Sequence, residues 1–316
     1  MSRFAFEGLY LAVLTLCVGA VEFLRIGAPD DEAPIPPQTV AEIIAVPPKP
    51  EGARAAEGVG DGPGYSEEAC RAIDRDLDLR DACWRALAVQ RAERDPEGAL
   101  EACREVRFEE DLHACYADVA ELHSTVDREW SEEACETLIP VEDRTWHGQC
   151  WFGIALAHST LDPDYARDTC ERALDWKNFC RHDVNGEIAQ YDPDNAFSWC
   201  QTAEMTPLQL KGCYHGLGKY LGRVDVPKAL EICRRVPTRD DIHPQQCFHG
   251  LGWALSESDL DAAISTCKEE GGAYADSCRL GVSANVKRFD PEHAVEICGA
   301  VSSPKLKKNC LKFAER

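Results

Sequence analysis

Sixteen of the seventeen cysteines stand at ruled positions, and no other feature restricts the possible folds so strongly. From Cys70 onward the intervals to the next cysteine run 13, 20, 12, 20, 15, 20, 10, 20, 13, 20, 14, 20, 11, 20 and 12. A constant interval of 20 alternating with a variable one of 10 to 15 describes a rigid unit, repeated and joined by loops of differing length. Regular cysteines at this density predict disulfides, and with them a chain that works outside the reducing cytosol.

The cysteines index a richer pattern. Eight residues before the second cysteine of each 20-residue interval stands an aspartate: Asp95, Asp127, Asp162, Asp192, Asp225, Asp259 and Asp290. Pro96, Pro163, Pro193 and Pro291 follow four of them. Aspartate then proline predicts a helix start, because the carboxylate accepts from a free backbone N–H and proline fits the first turn. Ala99, Ala166, Ala196, Ala229, Ala263 and Ala294 precede their cysteines by four residues, so each small pair shares one helix face.

A second helix runs through the other cysteine. Trp84, Tyr116, Trp151, Tyr214 and Phe248 directly follow it, with Arg181 and Arg279 in the remaining repeats. Ala86, Gly153, Gly216, Gly250 and Gly281 lie three residues after it. Apolar residues recur at helical spacing, and no alternating strand pattern interrupts them. The unit reads as helix A, a short turn, the aspartate, then helix B, with a period of 30 to 35 residues between B-helix cysteines. Such a period predicts an all-α fold, an α-solenoid of about seven antiparallel helix hairpins. Residues 65–74 then supply a lone B helix as one cap, and residues 303–316 a lone A helix with a basic face as the other.

The stretch Gly216-Leu217-Gly218-Lys219-Tyr220, followed by Asp225 and Lys228-Ala229-Leu230, resembles the short consensus of the tetratricopeptide-like superfamily, especially its secreted, disulfide-linked members. The resemblance covers residues 65–316 as a repeat grammar. Cysteine in both helices departs from the family pattern, as does the lack of its Trp-Leu-Gly-Tyr signature in most repeats. It implies a superhelix with a concave groove for proteins or peptides, and no specific activity.

Two pairings suit the cysteines geometrically. The 20-residue interval places both cysteines of a hairpin at equal height, and so does the junction between helix B and the next helix A. Pairing within hairpins strands Cys70 and Cys310, whereas pairing across junctions uses all sixteen. The expected bonds are therefore Cys70–Cys83, Cys103–Cys115, Cys135–Cys150, Cys170–Cys180, Cys200–Cys213, Cys233–Cys247, Cys267–Cys278 and Cys298–Cys310.

Before the repeats, residues 1–27 read as a signal peptide or N-terminal membrane anchor. Residues 4–26 are apolar apart from Glu7, Glu22 and Arg25, and Gly8 to Val21 carry no charge. An uncleaved anchor, a cleaved signal and a lipoprotein built on Cys17 are the three alternatives; Leu14-Thr15-Leu16 puts a bulky leucine before the cysteine where the last needs a small residue. Residues 28–64 carry eight prolines without cysteine or aromatic side chains, the composition of a disordered, extended linker.

The chain holds 34 basic and 56 acidic residues, a net charge of −22, which is the wrong sign for nucleic acid. An acidic surface favours solubility and a basic partner. Gly216, Gly218 and Gly222 have the wrong spacing for a nucleotide loop and read as helix-packing glycines. Asp74, Asp76 and Asp78 lack the turn glycine and closing glutamate of a calcium loop. No zinc-protease, haem or serine-elbow motif is present, and no cofactor is expected.

His182, His215 and His249 occupy one position, two residues after the A-helix cysteine of consecutive repeats. They are the candidate groove-lining residues, with a pH-responsive surface as their functional reading. Neighbouring helices about 8–10 Å apart would hold three such imidazoles too far apart to close around one ion. The aromatic residues after the cysteines read as core knobs. The favoured function is a non-enzymatic extracytoplasmic scaffold, periplasmic or at the cell surface, recruiting a protein or peptide along its groove. The alternative is a secreted, repeat-hosted hydrolase acting on cell-wall peptide, which requires an acid–base or nucleophile cluster breaking the repeat symmetry.

Overall fold

The structure is a computed structural model describing residues 65–74, 76–202, 204–238 and 242–314. The readings made for residues 1–27 and 28–64 lie outside the described residues. Among the described residues the chain is all-α, with sixteen α-helices and no strand. They are α1 (Glu67–Arg71), α2 (Leu77–Arg91), α3 (Pro96–Cys103), α4 (Glu109–His123), α5 (Arg128–Leu138), α6 (Arg144–His158), α7 (Pro163–Thr169) and α8 (Lys177–Tyr191). There follow α9 (Pro193–Thr202), α10 (Pro207–Val224), α11 (Val226–Arg235), α12 (Ile242–Leu255), α13 (Leu260–Glu270), α14 (Ala275–Val286), α15 (Pro291–Gly299) and α16 (Pro304–Ala314). The even-numbered members are A helices and the odd-numbered ones B helices. None is long and apolar enough to cross a membrane.

Each B helix from α3 to α15 starts where the repeated aspartate sits. The carboxylates of Asp95, Asp127, Asp162, Asp192, Asp225, Asp259 and Asp290 accept from the N–H three residues on, at 2.9 to 3.2 Å. One otherwise orphaned donor per helix is thereby satisfied, a contribution of about 1 kcal/mol at each start. Helix α10 instead opens with a reciprocal capping box between Thr206 and Gln209.

The helices fall into two compact units, one ending at Tyr191 and one beginning at Asp192. In the first, α2, α4, α6 and α8 pack side by side, and each B helix lies against its own A helix and the next one. In the second, α10, α12, α14 and α16 form the corresponding layer, with α11, α13 and α15 against it. Within each unit the core is the seam between its A helices and the B helices packed against them. The six repeated alanines are fully buried there, and Trp84, Tyr116, Trp151, Tyr214 and Phe248 are buried with them. Each such large side chain contributes about 1.5–3 kcal/mol by leaving water.

Eight disulfides join Cys70–Cys83, Cys103–Cys115, Cys135–Cys150, Cys170–Cys180, Cys200–Cys213, Cys233–Cys247, Cys267–Cys278 and Cys298–Cys310, with Cα atoms 5.3 to 5.9 Å apart. Each ties a B helix to the following A helix across the variable loop. Bonds in this number belong to an oxidising, extracytoplasmic environment. The shortest loop, between Cys170 and Cys180, leaves no room for a full helical ending. It folds as two 3₁₀ turns, with Leu174 in the left-handed region at φ 48°.

In the second unit the A helices approach unusually closely. A Cβ on Gly218 would stand 1.9 Å from the Cys247 carbonyl oxygen, and one on Gly250 2.1 Å from that of His215. Glycine is required at both positions because α10 and α12 touch backbone to backbone.

Candidate functional site

Close helix approach decides the fate of the histidine column. In the second unit the rings of His215 and His249 lie 5.1 Å apart, tilted by 40°. The glycines that draw α10 and α12 together carry His249 into the seam, where it is 3% exposed. Burial pushes its imidazole down to about 3, so it stays neutral at physiological pH. The reading of His249 as a groove-lining, pH-responsive residue is therefore corrected: it packs between helices. His215 is half-buried beside it. His182 belongs to the first unit, half-buried, with Nδ1 2.5 Å from Asp183 Oδ1.

Other histidines of the first unit tie successive repeats together. His158 Nε2 lies 2.9 Å from the Ser124 carbonyl oxygen of the preceding A–B turn. His147 Nδ1 lies 2.9 Å from the Ile139 carbonyl, and its Nε2 accepts from the Trp151 indole at 3.3 Å. His113 Nδ1 lies 2.7 Å from Asp143, which also caps α6. The position and hydrogen bonds of each serve packing.

The strongest electrostatic feature lies between α2 and α4. Arg85 Nε donates to Asp118 at 2.6 Å in a nearly dry seam. Burial raises the Asp118 carboxyl even though Arg85 pulls it down. Beside them, Arg107 forks onto Asp81 at 3.2 and 2.9 Å. Asp111 is raised by burial, with Asp81 and Asp78 adding to the rise and Arg85 opposing it. Asp118 occupies the position three after the cysteine, where five other repeats have alanine or glycine. That exception, with Arg85 one repeat earlier, was the signal available in the sequence.

Elsewhere in this unit charges lace neighbouring repeats. Arg172 lies over the Trp151 ring, 3.3 Å from its centroid, donates to Glu132 at 3.2 Å, and also reaches Glu136. Tyr165 donates to Glu132 at 2.7 Å, and burial together with that bond pushes its hydroxyl up to about 12.

Two open clefts lie at the start of the described chain. One of 540 Å³ is lined by Tyr65, Ser66, Leu87, Gln90 and Arg94 among others, and one of 280 Å³ by Arg71, Trp84 and Glu101 among others. Among the described residues no group of three or more His, Cys, Asp or Glu side chains is arranged to hold a metal ion. Chemically, the arrangement offers charged seams and shallow surfaces. No family model, curated protein or solved structure matches the chain.

Proposed function

We propose that the chain is a disulfide-stapled α-solenoid of the tetratricopeptide-like kind, acting as a non-enzymatic extracytoplasmic scaffold that holds a protein or peptide. One observation carries this reading. In both units a helix pair recurs with the same capping aspartate and the same buried alanine column, and a disulfide ties each pair to the next. One hairpin cannot bury its apolar face alone, whereas stacked ones present a continuous surface. Asp118, a buried acid held above its ordinary range, is engaged by a neighbouring repeat's arginine in a packing seam, which favours a structural over a catalytic role. Anchoring by the apolar N-terminal segment, at a periplasmic or cell-surface location, completes the proposal.

Two measurements test it. Small-angle scattering of the oxidised chain is expected to give a maximum dimension well beyond that of a globule of the same mass. Purification from gently solubilised membranes is expected to retain a stoichiometric protein or peptide. A globular profile would overturn the solenoid, and turnover of cell-wall peptide by the isolated chain would overturn the scaffold in favour of the hydrolase.

A further inference from the structure

The A–B turns carry a second repeated feature that the fold does not require. Eleven large apolar side chains are exposed among the described residues, and five of them occupy one repeat position, immediately before the capping aspartate. They are Val126, Leu161 and Tyr191 in the first unit and Val224 and Phe289 in the second, each between 56% and 73% exposed. The turn itself makes no use of these side chains. At Val126, Leu161 and Phe289 the residue's own N–H and that of the aspartate bond back to one carbonyl, that of His123, His158 and Val286 respectively. Arg94 and Ser258 stand at the same position in their repeats and make the same two backbone bonds. Apolar identity is therefore free to vary at this position, yet five of seven repeats expose it.

Acids accompany every one of these apolar tips. Val126 precedes Asp127 and Glu129, Leu161 precedes Asp162 and Asp164, and Phe289 precedes Asp290 and Glu292, all exposed. Some of these acids meet cations: Arg128 stands 3.9 Å from Asp162 and Arg167 3.6 Å from Asp164, while Asp194, after Tyr191, is reached by Arg235 at 2.7 Å and Lys228 at 3.5 Å. Because A helices pack side by side within each unit, successive turns follow one edge, about 8–10 Å apart.

We propose that this turn edge is a docking surface for a basic, extended segment of a partner protein whose apolar side chains alternate with Lys or Arg. The proposal rests on the scaffold reading and names the surface and the partner's chemistry. An extended polyproline-II segment puts every third side chain on one face at about 9 Å, which matches the turn spacing. Lysine or arginine between those side chains meets the acids. An anionic membrane and a second copy of this chain both bring negative charge to negative charge, which the edge disfavours.

The probe is a fluorescent twelve-residue peptide of Leu-Lys-Lys repeats, titrated by anisotropy against the oxidised full chain. Binding that falls at high salt, and that weakens at least tenfold in the triple variant Val126→Ser, Leu161→Ser, Tyr191→Ser, is the expected result. Unchanged melting of that variant verifies its fold. A second variant, Glu129→Lys with Asp164→Lys, leaves both caps and apolar tips intact and is expected to switch preference to a Leu-Glu-Glu peptide. Equal binding of the lysine peptide by wild type and both variants would overturn the edge while leaving a scaffold that binds elsewhere. No binding by wild type would also overturn the edge, with the scaffold still judged by scattering and co-purification. Co-sedimentation of the chain with phosphatidylcholine–phosphatidylglycerol vesicles that is lost in the triple variant would assign the face to a membrane, and loss of self-association in the triple variant would assign it to a second copy; either overturns the proposal.

Discussion

Two glycines of α10 provide a matched experiment, because the same substitution is expected to act with opposite sign at each. Gly212 and Gly218 both lie inside Pro207–Val224. A Cβ on Gly212 meets nothing within 4 Å, so Gly212→Ala only removes the conformational freedom that glycine gives the unfolded chain. It should stabilise by roughly 0.5–1 kcal/mol. A Cβ on Gly218 lands 1.9 Å from the Cys247 carbonyl oxygen, 2.9 Å from its carbon and 3.0 Å from the Leu251 nitrogen. All three are backbone atoms, so no rotamer change relieves the contact. Carbon and oxygen settle at about 3.3 Å or more, so α12 has to retreat by roughly 1.4 Å. Overpacking on this scale costs about 1–3 kcal/mol, partly offset by the same helix-propensity gain. At about 2–4 °C per kcal/mol for a body of this size, Gly218→Ala should melt several degrees below wild type and Gly212→Ala slightly above it. Scanning calorimetry of the oxidised proteins reads both. A Gly218→Ala protein melting at or above wild type would refute the close contact between α10 and α12.

Four further outcomes follow from particular contacts. Arg85→Ala leaves Asp118 buried without its counter-charge and should cost about 3–5 kcal/mol in denaturant titrations, whereas Arg85→Met with Asp118→Leu should cost far less. Because burial holds the folded Asp118 carboxyl above its unfolded value, protonation relieves the single variant, and its deficit should shrink as pH falls; a deficit growing in acid would contradict this. Asp276 has the opposite sign: burial works upward, but the Ser302 and Ser303 N–H groups together with Arg279 hold the carboxyl low. Its contribution is present above the unfolded value near 3.9 and lost as pH drops through the lower folded one, so melting curves of wild type and Asp276→Asn should converge in strong acid. Asp192→Ala should cost about 1 kcal/mol as a lost cap, and Ala196→Leu roughly 1–3 kcal/mol because Ala196 is fully buried. Thermal melts ranking those two in reverse would misplace α9. Non-reduced tryptic mapping should return a fragment joined through Cys103 and Cys115, and one joining Cys83 to Cys103 would contradict the junction bonds.

Much of the local architecture was legible because it depends on short-range chemistry. Aspartate before proline dictates a helix start whatever packs around it, so Asp95 or Asp162 could be placed without coordinates. Alanine and cysteine four apart declare a shared face, and the fully buried Ala229 and Cys233 occupy it. What escaped depends on how far apart neighbours stand. His249 looks like a candidate surface ligand until Gly218 and Gly250 are seen to close the gap on either side of it. Arg85 and Asp118 read as two charges among many because they lie 33 residues apart. The 3₁₀ turns around Leu174 arise from a loop too short for its crossing, a matter of distance that no propensity encodes. The apolar tips at Val126, Leu161 and Phe289 were visible as letters, but their exposure was not.

The junction disulfides have a consequence for how the chain matures. Among the sixteen cysteines, each partner is the nearer neighbour along the sequence, at separations of 10 to 15 rather than 20. Loop-closure entropy hardly distinguishes those alternatives, since lengthening a loop from about 12 to 20 residues costs only a few tenths of a kcal/mol. Order of emergence does distinguish them. If the chain is exported from its N-terminus, as the scaffold proposal requires, Cys83 arrives while Cys70 is still waiting and Cys103 has yet to appear. Every later pair meets under the same rule: first in, first bonded. Provided Cys17 stays with the proposed N-terminal membrane segment, a simple thiol oxidase working in step with export would then suffice to write these eight bonds, with no reshuffling afterwards. Refolding the fully reduced, full-length chain all at once removes that sequence of arrivals and puts all sixteen thiols in competition.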